Sequence, residues 1–384
     1  MTEKCKPSRK LVEADAPLRA EVARFRTPSL SRAIWQLAST LAGFVAVCAT
    51  MYASFGVSYW LTLGLAVVAA GLTVRLFIIQ HDCGHGSFFA SPRANMVLGR
   101  LCGLITFTPF ANWRRQHARH HAVWNNLDRR DSGVDIYSTC LTVSEYQALT
   151  PRRRFLYRLS RHPVITGLLL PPLVFLLLYR IPFDTPKAWR RERLSVHATN
   201  AGIAGLFGGL GFVLGFERVL LVQLPILTIA SIIGVWLFAV QHRFEQALWQ
   251  RDAEWTFGAA SLQGSSYLKL PRILQWFTGN IGFHHIHHLN PRIPNYRLPA
   301  CHAAIQQLHA VPSLSLWDAL RAPFFALWDE TRQQMVAFPC NPRQKPHVEK
   351  NTFSIGNERA SGGQNRMKSL QGRAETSGIR EYSG

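Results

Sequence analysis

Long uncharged apolar runs dominate the pattern along the chain. Residues 33–55 carry no charge, and residues 58–80 carry one, Arg75, near the end. Each run is 23 residues long, and about 20 suffice for a helix to span a hydrocarbon core. Only Gly56 and Val57 separate them, so the pair predicts a helical hairpin. A second pair occupies 199–216, which is Gly-rich, and 219–241, which is uncharged, with Glu217 and Arg218 as the connector. The competing reading, four buried core helices of a soluble protein, is disfavoured because uncharged runs of this length are rare outside membranes. The pattern therefore predicts an all-α integral membrane protein with four transmembrane helices in two hairpins and a cytoplasmic helical cap. Two further apolar runs are broken, 96–111 by Arg100 and Pro109 and 164–179 by Pro171-Pro172, and both read as interfacial or re-entrant segments.

Composition supports this. Of 384 residues 48% are hydrophobic and only 17% charged, against about 25% charged in typical soluble domains. The 23 Phe, 11 Trp and 9 Tyr exclude disorder throughout. Seven cysteines, odd in number and irregularly spaced, read as reduced intracellular thiols and exclude a disulfide-stapled module. The net charge of +21 raises the alternative of a nucleic-acid binder. Its distribution answers that: arginines crowd the segment between the hairpins, whereas the two hairpin linkers carry a single basic residue, Arg218. The positive-inside rule then places the termini and the central segment in the cytoplasm. Anionic lipid headgroups are sufficient partners for the charge, and no nucleic-acid motif accompanies it. The chain divides into a polar cytoplasmic segment 1–32 without a secretory h-region, a membrane domain 33–340, and a polar tail 341–384 expected to be disordered.

The candidate chemistry lies in histidine. Nine of the 15 histidines fall in three short windows: His81 and His85; His117, His120 and His121; and His284, His285, His287 and His288. Spacings of three and four residues place such side chains on one helix face. A single window of this kind is more often a polar surface pair, but three at membrane boundaries point to metal ligation by neutral imidazole. One site can gather all three only with an even number of crossings between the second and third windows. The second hairpin supplies two, so 164–179 is not counted as a span. His242 emerges at the end of the fourth span on the same side and reads as a further ligand, with Glu245 as an acceptor for an imidazole N–H. Asp82 has the same orienting role in prospect. His162, His197, His302, His309 and His347 read as ordinary. Eight or nine imidazoles exceed one ion and fit two ions with four or five each; the ligand type alone leaves iron, copper, zinc and nickel open.

These residues resemble a known family. The stretches HDCGHGSFF (81–89), WRRQHARHHAVWNNLD (113–128), QHRFE (241–245) and GSSYLKLPRILQWFTGNIGFHHIHHLNPRIPNY (264–296) resemble the membrane fatty acid desaturases, in particular bacterial acyl-lipid enzymes of the delta-12 (omega-6) type. The resemblance spans roughly 30–335. It implies a non-haem di-iron site held by His81, His85, His117, His120, His121, His284, His287 and His288, with His242 joining them and His285 outside. It implies two irons, O2 as co-substrate, a fatty acyl lipid substrate, and an external electron donor, ferredoxin- or cytochrome b5-like. It implies a multi-pass protein of the bacterial inner membrane with a cytoplasmic site. An acyl chain offers no polar handle, so an apolar tunnel must fix its depth; Trp60, Trp113, Trp249 and Trp276 are candidate wall residues. The alternatives are a hydroxylase or ketolase of the same superfamily, and a membrane metal transporter or sensor, which would need ionisable groups deep in its spans.

Overall fold

The protein is described by a computed structural model over residues 15–130 and 139–339, so the expected disorder of 341–384 lies outside the described residues. A short helix α1 (Asp15–Ala23) precedes the first apolar run, which forms α2 (Leu30–Ser54), and the second forms α3 (Tyr59–His85). Helix α3 stops where Gly86 takes a left-handed conformation, φ 69°, a position where a residue without Cβ suffers no steric cost. This stop leaves His81 and His85 on the last turn.

The broken run 96–111 makes a sharp corner. Helix α4 (Pro92–Ile105) begins at Ser91, whose side chain accepts from the Ala94 N–H, with Pro92 at the first helical position. It meets α5 (Phe110–Val123) at a bend of 105°. Helix α5 thus carries the second histidine window away from the direction of α4. After α6 (Val143–Ala148) and α7 (Pro151–Ser160), the run around Pro171-Pro172 folds as a π-helical turn Ile165–Leu169 and then α8 (Leu170–Leu176), bent 45° from α7. The second hairpin is α9 (Arg190–Leu214) and α10 (Phe216–Val240). Among the described residues, four single helices are long and apolar enough to cross a membrane, α2, α3, α9 and α10, and the two bent pairs would raise the number to as many as six if each were one span. The break between α9 and α10 corrects the expected connector. It falls at Gly215, φ 92°, while Glu217 and Arg218 lie in the first turn of α10.

Helix α3 is the central span, packed by both α2 and α10. Small residues make this possible: Ala66 and Ala69 of α3 are fully buried in one cluster with Val222 and Ile226 of α10 and Met51 of α2. Close backbone approach of this kind is how apolar helices associate where lipid is as apolar as the side chains. The outer faces carry exposed Val45, Val67, Phe212 and Leu220, as surfaces facing acyl chains require. Beyond the spans lie α11 (Phe257–Gln263), α12 (Arg272–Phe277), α13 (His284–Leu289), α14 (Leu298–Ala304) and α15 (Leu316–Arg321). Among the described residues, two small sheets pin these pieces. In one, Leu141–Thr142 pairs in parallel with Leu327–Asp329, which pairs antiparallel with Gln334–Val336; in the other, Tyr267–Leu268 pairs in parallel with Ser313–Leu314. Leu268 also donates its N–H to Gly282 at 2.8 Å, and Tyr267 stacks on Phe283. These contacts fix the approach to α13.

Candidate metal centre

Four elements bring the nine predicted histidines together. The last turn of α3 supplies His81 and His85, α5 supplies His117, His120 and His121, the residue after the α10 cap supplies His242, and α13 supplies His284, His287 and His288. They divide into two groups. Ring nitrogens of His81, His85, His117, His121 and His287 converge within 4.8 Å of one another, as do those of His120, His242 and His288. His284 joins the second group, its Nε2 2.9 Å from that of His242 and 3.0 Å from that of His288. The division is thus five and four. The groups touch where His121 stacks on His288, ring centres 4.2 Å apart.

The second group tests whether a cation belongs there. His242, His284 and His288 hold their Nε2 atoms pairwise at 2.9, 3.0 and 3.1 Å. A ring nitrogen carries either a proton or a lone pair. Among three nitrogens two must share the same role, so at least one contact is repulsive whatever the tautomers. A central cation accepting all the lone pairs removes the conflict. With metal–nitrogen bonds of about 2.1 Å, ligands at right angles place their nitrogens about 3 Å apart, which is the spacing observed. The residues therefore fit metal ions. Burial, reinforced by neighbouring histidines, pushes the protonation of His287 and His288 well below the ordinary imidazole range. Both rings stay neutral, the form that ligates.

The surroundings hold the rings in place. Trp113 stacks on His117 with centres 4.7 Å apart, and Trp124 packs on His288 at 4.2 Å. Trp124 was not evident from the windows, although its spacing of three and four from His121 and His120 was a readable signal. The Asp82 carboxylate lies 3.3 Å from His81 Nδ1. Glu245, by contrast, is exposed, and its recorded partner is the Met335 N–H on its backbone carbonyl. It is not placed to orient an imidazole. His285 is fully buried but turns from the centre toward Tyr267 and His302, with ring centres 6.1 and 5.5 Å away.

A cavity of about 610 Å³ opens against this centre, lined by His81, His117, His120 and His284 at one end. It runs down between α3 and α10 to Thr73 and Leu227. From Gln241 to Leu227 is 14 residues, about 21 Å of helix at 1.5 Å per residue. Its wall is mainly apolar, with Phe77, Val235 and Phe238 prominent. Trp113 and Trp249 line it as expected. Trp60 and Trp276 do not: Trp60 is 82% exposed near the start of α3, and Trp276 lies under the Arg75 guanidinium, 4.1 Å away.

The sequence profile of the family described as Fatty acid desaturase matches residues 58–317. A protein of Bacillus subtilis (strain 168) named "Fatty acid desaturase" is 44% identical over 321 residues, covering 84% of this chain and 90% of that one. A Glycine max protein named "Omega-3 fatty acid desaturase, chloroplastic" is 30% identical, covering 66% of this chain and 56% of that one. A Synechocystis protein named "sn-1 oleoyl-lipid 12-desaturase" is 27% identical over 65% of this chain and 67% of its own length. With apolar spans, clustered histidines and a family match across most of its length, this chain belongs to the fatty acid desaturase family.

Proposed function

We propose that the chain is a di-iron acyl-lipid desaturase that introduces a cis double bond at a delta-12 (omega-6) position. The observation that carries this reading is the five-plus-four arrangement of histidines set into the wall of a long apolar cavity. The overall change converts –CH2–CH2– into –CH=CH–, with O2, two electrons and two protons giving two waters. His81, His85, His117, His121 and His287 would hold one iron, and His120, His242, His284 and His288 the other. The irons, when bound, activate O2 for hydrogen abstraction from an unactivated methylene.

The chain's own residues do the rest. The cavity orders the acyl chain so that a chosen pair of methylenes lies beside the histidines, which is specificity by depth. The Asp82 carboxylate accepts from His81 Nδ1–H and leaves the Nε2 lone pair for the metal. Electrons come from an external carrier, ferredoxin- or cytochrome b5-like. The arginine-rich segments support a cytoplasmic site in a bacterial inner membrane, with anionic headgroups against them. Placement at position 12 rests on the overall resemblance to the delta-12 type and on the name of the Synechocystis relative; the Glycine max relative makes omega-3 placement the competing outcome.

The test is expression in a bacterial host lacking polyunsaturated lipids, supplied with a compatible electron donor, with double bonds located by mass spectrometry. A 9,12-diene formed from lipid-bound oleate is expected. Hydroxylated chains, or unsaturation only toward the methyl end, would replace this reading.

A further inference from the structure

A line of buried polar groups leads away from the histidine centre, and its first member beyond Asp82 is Asn295. One Asp82 oxygen faces His81 Nδ1 at 3.3 Å. The other accepts twice from a single residue: from the Asn295 backbone N–H at 2.7 Å and from its side-chain amide at 2.8 Å. The Asn295 side-chain oxygen accepts from Gln36 Nε2 of α2 at 2.9 Å. Asp82, Asn295 and Gln36 are 2%, 0% and 4% exposed. Asp82 lies in the last turn of the central span, whereas Asn295 lies seven residues beyond His288. Among the described residues no Lys or Arg forms an ion pair with Asp82.

We propose that Asn295 is a positioning residue of the metal centre, acting through Asp82. A buried carboxylate without a cationic partner depends on donated hydrogen bonds. Two donors from one residue occupy one oxygen and fix the plane of the group. That leaves the other oxygen for His81 Nδ1–H and sets the tautomer that presents Nε2 to a metal. Asn295 follows the third window by seven residues, so the same contact ties the orientation of His81 to the segment that continues from His284, His287 and His288. A plain structural staple would treat the Asp82 and Gln36 contacts alike. A positioning role makes the Asp82 contact the one that matters to the metal.

This inference rests on reading the nine histidines as a metal centre. The experiment uses the purified full chain in detergent, loaded with iron, and measures iron retained against a chelator. Parallel samples loaded with cobalt(II), which imidazole also binds, give a visible ligand-field spectrum. Asn295→Asp keeps size and the acceptor for Gln36 but replaces the donor facing Asp82. It and Asp82→Asn should each weaken iron retention about 10- to 100-fold, the usual effect of losing a partner of a ligand. The double variant should be no worse than the poorer single, because both act through one contact. Gln36→Leu should stay within about threefold of wild type on the same scale, with an unaltered cobalt spectrum. Multiplying effects in the double variant, wild-type retention in Asn295→Asp, or equal damage from Gln36→Leu would overturn the proposal. Should Asn295→Asp not accumulate in membranes, Asn295→Ala, which removes the side-chain donor, takes its place with the same expected loss; failure of both to fold would assign a structural part instead. A wild-type chain that holds no metal would sink the metal-centre reading itself, a distinguishable result.

Discussion

His242 Nε2 lies 2.9 Å from His284 Nε2, although the two residues come from a membrane-helix end and a separate short helix 42 positions later. His285, the neighbour of His284, points elsewhere. The contrast yields a ranking. His242→Ala should remove most of the iron from one group and abolish product, whereas His285→Ala should leave most iron in place and reduce activity mainly through packing. Iron per chain and diene formation, measured on the same preparations, check this. The reverse ranking would mean that α13 binds metal in a different register.

The cavity makes a prediction about length. Gly234 on α10 lines it, and a Cβ built there meets nothing within 4 Å. Gly234→Leu should therefore project into the cavity without displacing protein atoms. Product from the longest acyl chains should fall at least about tenfold relative to the shortest accepted chain, in line with roughly 0.8 kcal/mol for each methylene that loses its buried place. Competition between acyl lipids of different length in one membrane preparation gives the ratio. An unchanged ratio would show that the acyl chain does not pass Gly234.

Much of this was legible because the signals are local. A span is a composition over about 20 residues, and His81 with His85 is a spacing within one helix turn. Both survive without knowledge of the tertiary structure. What required the structure was direction. The charges of Glu217 and Arg218 suggested a connector, yet Gly215 supplies the positive φ that turns the chain, and both charges sit exposed on the first turn of α10. There Glu217 also complements the helix dipole. Helix α9 starts at Arg190, well before the apolar run, because helical hydrogen bonding continues through a polar sequence outside the membrane. Trp60 and Trp276 are aromatic like wall residues but do not line the cavity, and no periodicity distinguishes them from Trp113 and Trp249. Asn295 lies within the stretch 264–296 but carries no signal of its own in the sequence, since its partner Asp82 is 213 positions distant.

The corner between α4 and α5 should tolerate no added methyl group at Gly103. A Cβ there would lie 2.5 Å from the backbone oxygen of Thr108, which cannot rotate aside. Gly103→Ala should cost about 1–3 kcal/mol, the usual scale of overpacking, and disturb the placement of α5 and its three histidines. Thermal unfolding in detergent and iron content should fall together. A stable variant that still binds iron would show that the corner flexes.

Acid should weaken the fold through histidines outside the proposed ligand set. Burial pushes His285 down to about 3, and burial together with His309 pushes His302 down to about 4. In the unfolded chain both return to about 6.5. Below that value the unfolded state binds more protons than the folded one, so stability falls as pH falls from about 6.5 toward the folded values. Above it their contribution is constant. Replacing both by Gln removes this proton uptake. The wild-type melting temperature should drop more between pH 7.5 and 5 than that of the double variant, with both proteins iron-loaded so that the histidines proposed as ligands stay neutral in each. Equal drops would mean that the pair is already protonated in the fold at pH 5, which would require an acceptor or an opening to solvent beside His285.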